Sequence, residues 1–189
     1  KSCEREATLL GIYYGILAVM ILFNGLLWTS LRDKTYLSYV GYLVAYLILQ
    51  LTMNGNGLRY LFPESPALNS VAFIVSGFFA FAFAYRFTRE FMNLDELLPK
   101  MNSSFILAER ILVVIALLCV VAPYTLAVKL LALCAVVVPV TLMALGFACL
   151  KKGYMPAQNY LVAWSFFLFG VLIYGLKTLG FIPTNTFTE

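Results

Sequence analysis

The sequence predicts an all-α fold, a polytopic bundle of transmembrane helices. Of its 189 residues, 62% are hydrophobic and only 12% are charged, whereas soluble domains have about 45–50% apolar and about 25% charged residues. The apolar residues collect in six uncharged runs, and each run is close to the roughly 20 residues that a helix needs to cross a bilayer. The runs are too long for the strands of an outer-membrane barrel and lack their alternating polarity. Helices in lipid are therefore expected.

The six predicted spans form a single transmembrane domain over residues 1–189. The spans cover approximately 7–31, 35–58, 65–85, 111–128, 130–150 and 153–176. No Asp, Glu, Lys or Arg lies in the middle of any of them, and the chain has no His. Because intramembrane charges mark ion paths and proton relays, their absence argues against a pump or a proton-coupled transporter.

The first span carries a stripe of small residues within an arc of about 80°. The stripe consists of Gly11, Gly15, Ala18, Gly25 and Thr29. Gly11 and Gly15 have the spacing that lets two helix backbones approach closely. We expect the stripe to pack against another helix of the same chain, with a homodimer contact as the alternative.

The second span has two faces. Ser38, Gly41, Ala45 and Thr52 lie on one side. An arc of about 120° on the other side consists of Tyr36, Tyr39, Tyr42, Tyr46, Gln50 and Asn54. Unpaired polar groups are costly in lipid, so this tyrosine face is expected to make hydrogen bonds to other helices or to line a ligand pocket. Asn24 of the first span is the expected partner.

The connection between the third and fourth predicted spans, from Arg86 to Arg110, is longer than the other connections. Its apolar residues Phe87, Phe91, Leu94 and Leu98 recur at helical spacing. The third helix is therefore predicted to continue past the membrane to Pro99, with this stripe on lipid headgroups or on a partner helix. Glu109 and Arg110 are expected to form a local ion pair.

Short links are predicted between the other neighbouring spans. Residues 32–34 join the first two spans, and Lys129, near Pro123 and Tyr124, is taken as the turn between the fourth and fifth. Such links favour antiparallel hairpins. Pro139 lies midway along the fifth span, where a proline usually kinks a helix.

The distribution of Lys and Arg predicts the orientation. The eight residues on one side are Arg32, Lys34, Arg86, Arg89, Lys100, Arg110, Lys151 and Lys152. The five on the other are Lys1, Arg5, Arg59, Lys129 and Lys177. The richer side is expected to be cytoplasmic, which places the N-terminus outside. The chain opens with Lys1 and no signal peptide, so it is interpreted as part of a longer protein.

The residue types give no sign of catalysis, metal or cofactor. The sequence lacks the HExxH, P-loop and GxSxG motifs. Three of the four cysteines, Cys119, Cys134 and Cys149, fall in apolar runs, where a thiol behaves as a small hydrophobic group. No basic face or recognition motif indicates nucleic acid. We therefore expect no enzyme activity, no cofactor and no metal in this region.

Several segments together resemble the bacterial 7TM receptors with diverse intracellular signalling modules (7TMR-DISM). The segments are Gly11-Ile12-Tyr13-Tyr14-Gly15, Phe23-Asn24, residues 31–37 with Tyr39 and Tyr42, Gln50 to Gly55, Tyr60-Leu61-Phe62-Pro63, and Phe87 to Leu94 followed by Pro99. The resemblance is strongest from Gly11 to Pro63. Beyond about Lys100 it consists of helix spacing alone.

The resemblance implies a seven-helix module in the bacterial inner membrane. In that family the module joins an extracytoplasmic sensory domain, often similar to carbohydrate-binding folds, to a cytoplasmic output domain such as a diguanylate cyclase, histidine kinase or phosphatase. Six spans then imply that the chain stops before the seventh helix. A homodimer is a further expected partner.

The leading hypothesis is a sensor and transducer module that relays an extracytoplasmic stimulus by helix rearrangement. The candidate ligand or signalling residues are Asn24, Tyr39, Tyr42, Tyr46, Gln50 and Asn54, with Gly11, Gly15 and Gly25 for helix packing. The alternative is a small-molecule permease or channel, whose polar path would consist of Asn24, the tyrosines and Gln50. A membrane-embedded enzyme is the weakest of the three.

Overall fold

Every regular element in the described part of the chain is an α-helix. The computed structural model describes residues 2–55 and 65–165. Its helices are α1 (Ser2–Leu31), α2 (Lys34–Met53), α3 (Pro66–Phe91), α4 (Leu94–Leu97), α5 (Pro99–Leu118), α6 (Tyr124–Lys151), and α7, which begins at residue 156 and is described to residue 165. No strand occurs in these residues, so the predicted all-α fold is confirmed.

Five of the described helices are long and apolar enough to cross a membrane. They are Thr8–Leu31, Lys34–Met53, Pro66–Phe91, Pro99–Leu118 and Tyr124–Lys151. The chain is therefore a multi-pass membrane protein. The predicted sixth span, 153–176, lies partly outside the described residues, as does the end of the second span beyond residue 55.

The first two helices are joined by residues 32–33, close to the predicted link. Arg32 adopts a left-handed conformation, with φ of 56°, which ends α1. The Asp33 side chain then accepts a hydrogen bond from the Thr35 backbone N–H at 2.8 Å and caps the start of α2. This satisfies one of the N–H groups that the first turn of a helix leaves without a partner.

The small face of α2 packs against α3. Ser38, Ala45 and Thr52 are buried. A Cβ atom built on Gly41 would lie 2.5 Å from the Phe83 ring, so glycine is required for this approach. Among the described helices, α3 also contacts α5, and α1 contacts α2. These contacts place α3 at the centre of the α1–α5 packing.

The prediction that the third helix continues to Pro99 is wrong. It ends at Phe91, and Asn93 adopts φ of 46°, a left-handed conformation that Asn tolerates better than most residues. The four-residue helix α4 follows, and its Leu94 is fully buried. Leu94 therefore faces protein atoms and not lipid headgroups.

The fourth predicted span, 111–128, does not coincide with one helix. Pro99 starts α5 and Leu118 ends it, while α6 begins at Tyr124 and continues past Lys129. Pro123, not Lys129, marks the turn, because proline lacks a backbone N–H and is tolerated near the start of a helix but not in its interior. A lysine can remain within a helix by extending its charged end to the interface.

The helix α5 begins at Pro99, 12 residues before the predicted start of the fourth span at residue 111, and contains charged residues there. Glu109 and Arg110 lie near the middle of α5, which is one of the five candidate spans. The prediction that no charge lies in the middle of a membrane-crossing segment stays a prediction, since Glu109 contacts Arg86 and Arg89 near the C-terminal end of α3. The first half of α5 belongs to what we predicted as a long connection.

The described chain divides into two compact units at Pro139, which lies inside α6. In the second unit, the C-terminal part of α6 packs against residues 156–165. A Cβ atom built on Gly146 would lie 2.7 Å from Leu161, and Leu145 is fully buried. The prediction that residues 1–189 form a single transmembrane domain stays a prediction.

Candidate functional site

The tyrosine face of α2 forms a continuous aromatic row. The rings of Tyr39 and Tyr42 stack with centroids 6.3 Å apart, and those of Tyr42 and Tyr46 stack at 5.9 Å. Gln50 Nε2 donates a hydrogen bond of 2.7 Å to the Tyr46 hydroxyl. Because residues three and four apart share one side of a helix, the sequence spacing alone aligns these side chains.

Two tyrosines of α1 complete this face at its Gln50 end. The Tyr14 hydroxyl donates to the Gln50 backbone carbonyl at 3.4 Å and accepts a bond of 3.1 Å from Asn54 Nδ2. The Tyr13 hydroxyl interacts with the side chains of Tyr46 and Gln50. Hydrogen bonds between α1 and α2 thus satisfy polar groups that would otherwise face lipid. Tyr13 and Tyr14 were not among the predicted site residues.

The structure does not hydrogen-bond Asn24 to the tyrosine face. Asn24 Nδ2 donates to the Met20 backbone carbonyl at 2.8 Å, one turn earlier in α1. Gly11, Gly15 and Gly25 also lack neighbours in the described chain, since a Cβ atom built on any of them would meet nothing within 4 Å. Their predicted role in helix packing stays a prediction.

A second polar cluster joins α2, α3 and α5. Arg89 Nη2 lies 3.3 Å from Glu109 Oε2, and Arg86 Nε lies 3.2 Å from Glu90 Oε1. Arg86 Nη1 lies 4.0 Å from Glu109 Oε1. The Ser38 hydroxyl of α2 donates a hydrogen bond to Glu90 Oε2. We call Ser38, Arg86, Arg89, Glu90 and Glu109 the ion cluster.

The ion cluster is mostly shielded from solvent. The side chains of Glu90, Glu109 and Arg89 are 16%, 19% and 21% exposed. Two arginines balance two glutamates, which reduces the desolvation cost of placing the four charges here. Arg89 Nε is buried and has no hydrogen-bond partner among the described residues.

The predicted pairing of Glu109 with Arg110 is wrong. Glu109 pairs with Arg86 and Arg89 of α3, while Arg110 is exposed. A sequence signal for the ion cluster does exist, because Arg86, Arg89 and Glu90 lie within about 100° on one side of a helix. The sequence does not reveal that Glu109 faces them from α5.

Aromatic rings connect the tyrosine face to the ion cluster. The Tyr39 ring lies 5.1 Å from the Phe87 ring, and Phe87 stacks on Phe91 at 5.6 Å. Phe87 follows Arg86 directly in α3. The row of rings therefore extends from Tyr46 to the end of α3 that carries the charges.

The described residues contain no group of three or more His, Cys, Asp or Glu that could hold a metal ion. The groups available for chemistry are then the tyrosine hydroxyls, the amides of Gln50 and Asn54, and the paired charges. Hydrogen bonds and ion pairs of this kind can hold helices in one arrangement and be exchanged in another.

The comparisons with known proteins identify one family. The chain matches the family model described as 7TM diverse intracellular signalling over residues 6–189. No curated protein and no solved structure matches it.

Proposed function

The chain belongs to the 7TM diverse intracellular signalling family, and from this premise we propose that it is the transmembrane module of a bacterial signalling receptor. It lies in the inner membrane with its N-terminus outside. It relays an extracytoplasmic stimulus to a cytoplasmic output domain, such as a diguanylate cyclase or a histidine kinase, and has no catalytic activity of its own. An upstream sensory domain and the output domain are its partners in the parent chain.

The mechanism is a shift between two packings of α3 against its neighbours. The observation that carries this proposal is the position of Glu109, which pairs across the helix interface with Arg86 and Arg89. Because the buried Arg89 Nε has no partner among the described residues, a second arrangement can gain a hydrogen bond. Packed interfaces tend to switch between discrete states instead of deforming continuously.

The tyrosine face is proposed as the input to this shift. A stimulus that moves α1 against α2 changes the bonds of Tyr14 to Gln50 and Asn54. The contact of Tyr39 with Phe87 then transmits the movement to the ion cluster. A ligand shifts the equilibrium only by binding the two packings with different affinity.

The experiment is to substitute Glu109→Gln in the full-length receptor and to measure the activity of its output domain with and without stimulus. We expect a fixed output that no longer responds, because the α3–α5 ion pairs are lost. Arg110→Gln is the matched control, since Arg110 is the exposed neighbour with no ion pair in the described chain. An unchanged response in the Glu109 variant would refute the proposal.

The permease alternative needs an open polar path along the tyrosine face. The tyrosine rings there stack on each other. Rings packed in this way leave little space for a solute between them, which argues against a permease. Reconstitution in liposomes separates the two functions. We expect no solute uptake above protein-free liposomes, and uptake that Tyr46→Ala alters would favour a permease.

A further inference from the structure

A long groove lies between α2 and α3, on the side of α2 that carries Gly41. Its volume is about 710 Å³, within the range of about 300–1,000 Å³ that is typical of small-molecule sites. The described residues that line it belong only to these two helices. The groove is open to the surface of the helix pair beside Val44, which is 39% exposed.

The wall of the groove is almost entirely apolar. Among the described residues that line it, two serines are the only ones with a hydroxyl group, and both hydroxyls have partners. Ser38 donates to Glu90, and Ser76 Oγ donates to the Phe73 backbone carbonyl at 3.1 Å. Neither hydroxyl needs a hydrogen bond from a ligand. The apolar surface of the groove therefore favours a hydrocarbon chain over a polar molecule.

The length of the groove matches one leaflet of a membrane. It runs along α2 from Leu37 to Ile48, which is about 16 Å at 1.5 Å per residue. Half of a hydrocarbon core of about 30 Å is about 15 Å. A lipid chain in the leaflet at the Leu37 end therefore fits the groove along its whole length.

Two cationic side chains lie at that same end. Arg86 lines the groove there, and its side chain is 42% exposed. Its Nε atom donates a hydrogen bond to Glu90, and its Nη1 atom lies 4.0 Å from Glu109 Oε1, which leaves the N–H groups of Nη2 without a partner among the described residues. Lys34 precedes Leu37 and Ser38 by three and four residues, which places it on the same side of α2. Lys34 is exposed and forms no ion pair with a described residue.

From this arrangement we propose that the α2–α3 groove binds an anionic phospholipid of the surrounding leaflet. An acyl chain occupies the apolar groove, and Arg86 and Lys34 hold the headgroup phosphate. The site is separate from the tyrosine face. Its occupancy by lipid affects how closely α2 and α3 can approach, so lipid composition adds a second influence on the helix packing.

The test is native mass spectrometry of the full-length protein purified in detergent. The protein is offered equal amounts of phosphatidylglycerol and phosphatidylcholine with identical acyl chains. We expect retained phosphatidylglycerol in excess over phosphatidylcholine. Equal retention of the two lipids, or retention of neither, would overturn the proposal.

Two pairs of variants locate the site. Val44→Phe fills the groove and is expected to abolish the retained lipid, whereas Val19→Phe, at a position 65% exposed on α1, leaves it unchanged. Lys34→Gln is expected to lower the preference for phosphatidylglycerol about fivefold, which follows from the roughly 1 kcal/mol that one cation contributes at an anionic surface. Lys129→Gln is its control.

If Val44→Phe does not fold, Lys34→Gln still tests the proposed lipid site. Lys34 is exposed, so its substitution is not expected to prevent folding. Retention that neither Val44→Phe nor Lys34→Gln reduces would place the lipid elsewhere. Either result leaves the proposed relay through Glu109 intact, since output activity and lipid retention are measured separately.

Discussion

Glu109 of α5 lies 3.3 Å from Arg89 of α3, with both side chains about four-fifths shielded from solvent. The two residues are 20 positions apart in the sequence, and the short helix α4 separates α3 from α5 along the chain. This ion pair, with the longer contact from Arg86, connects two candidate membrane spans by charge as well as by packing.

The first prediction concerns the stability of this contact. Glu109→Gln removes the negative charge and leaves the two arginines partly unpaired. We expect a loss of about 1–3 kcal/mol, less than the 3–5 kcal/mol for a fully buried pair because water still screens part of it. Thermal unfolding in detergent measures the effect. Arg110→Gln should stay close to wild type, and equal losses in both variants would contradict the assignment.

The second prediction concerns the close approach of α2 to α3. Gly41→Ala places a methyl group 2.5 Å from the Phe83 ring, and overpacking of this kind typically costs about 1–3 kcal/mol. Gly15→Ala is the control, since a Cβ atom there meets nothing within 4 Å. Alanine also favours a helix over glycine by about 0.5–1 kcal/mol. Unfolding in detergent should therefore show lower stability for Gly41→Ala and unchanged or higher stability for Gly15→Ala.

A different outcome at Gly15 would be informative. Marked destabilisation by Gly15→Ala would indicate that the small-residue stripe of α1 contacts another helix, as the sequence predicts. A shift from dimer to monomer in the same variant would assign that contact to a second copy of the chain.

The third prediction concerns the hydrogen bonds of the tyrosine face. Tyr46→Phe keeps the ring stacked on Tyr42 but removes the hydroxyl that accepts from Gln50 Nε2. We expect a loss of about 0.5–1.5 kcal/mol and a weaker response of the output domain to stimulus. Tyr42→Phe is the control, because its hydroxyl has no hydrogen bond in the described part of the chain. Equal responses of the two variants would remove Tyr46 from the proposed input.

Much of the tyrosine face could be predicted from the sequence. Hydroxyl and amide side chains spaced three and four apart must share one side of a helix, and the stacking of Tyr39, Tyr42 and Tyr46 follows from that spacing. The partner on α1 was not predicted correctly. Asn24 bonds within its own helix, and Tyr14 makes the contact instead, because the relative rotation of two helices depends on tertiary packing.

The ion cluster was harder to predict because its position depends on where α5 begins. A span drawn from hydropathy begins after the last charged residue, at residue 111. The helix itself begins at Pro99, because proline is a favourable first residue of a helix. The pairing of Glu109 with arginines of α3 lowers the cost of charge within the helix. Such compensation between distant residues is not visible in a hydropathy pattern.

Exchange of the charges of Arg89 and Glu109 shows whether the α3–α5 ion pair carries the signal. Arg89→Glu and Glu109→Arg are introduced singly and together in the full-length receptor, and the stimulus-dependent activity of the output domain is measured. If the α3–α5 ion pair transmits the signal, each single variant loses the response and the double variant regains most of it. A double variant that responds no better than the single variants, although it is folded and inserted, would contradict the account.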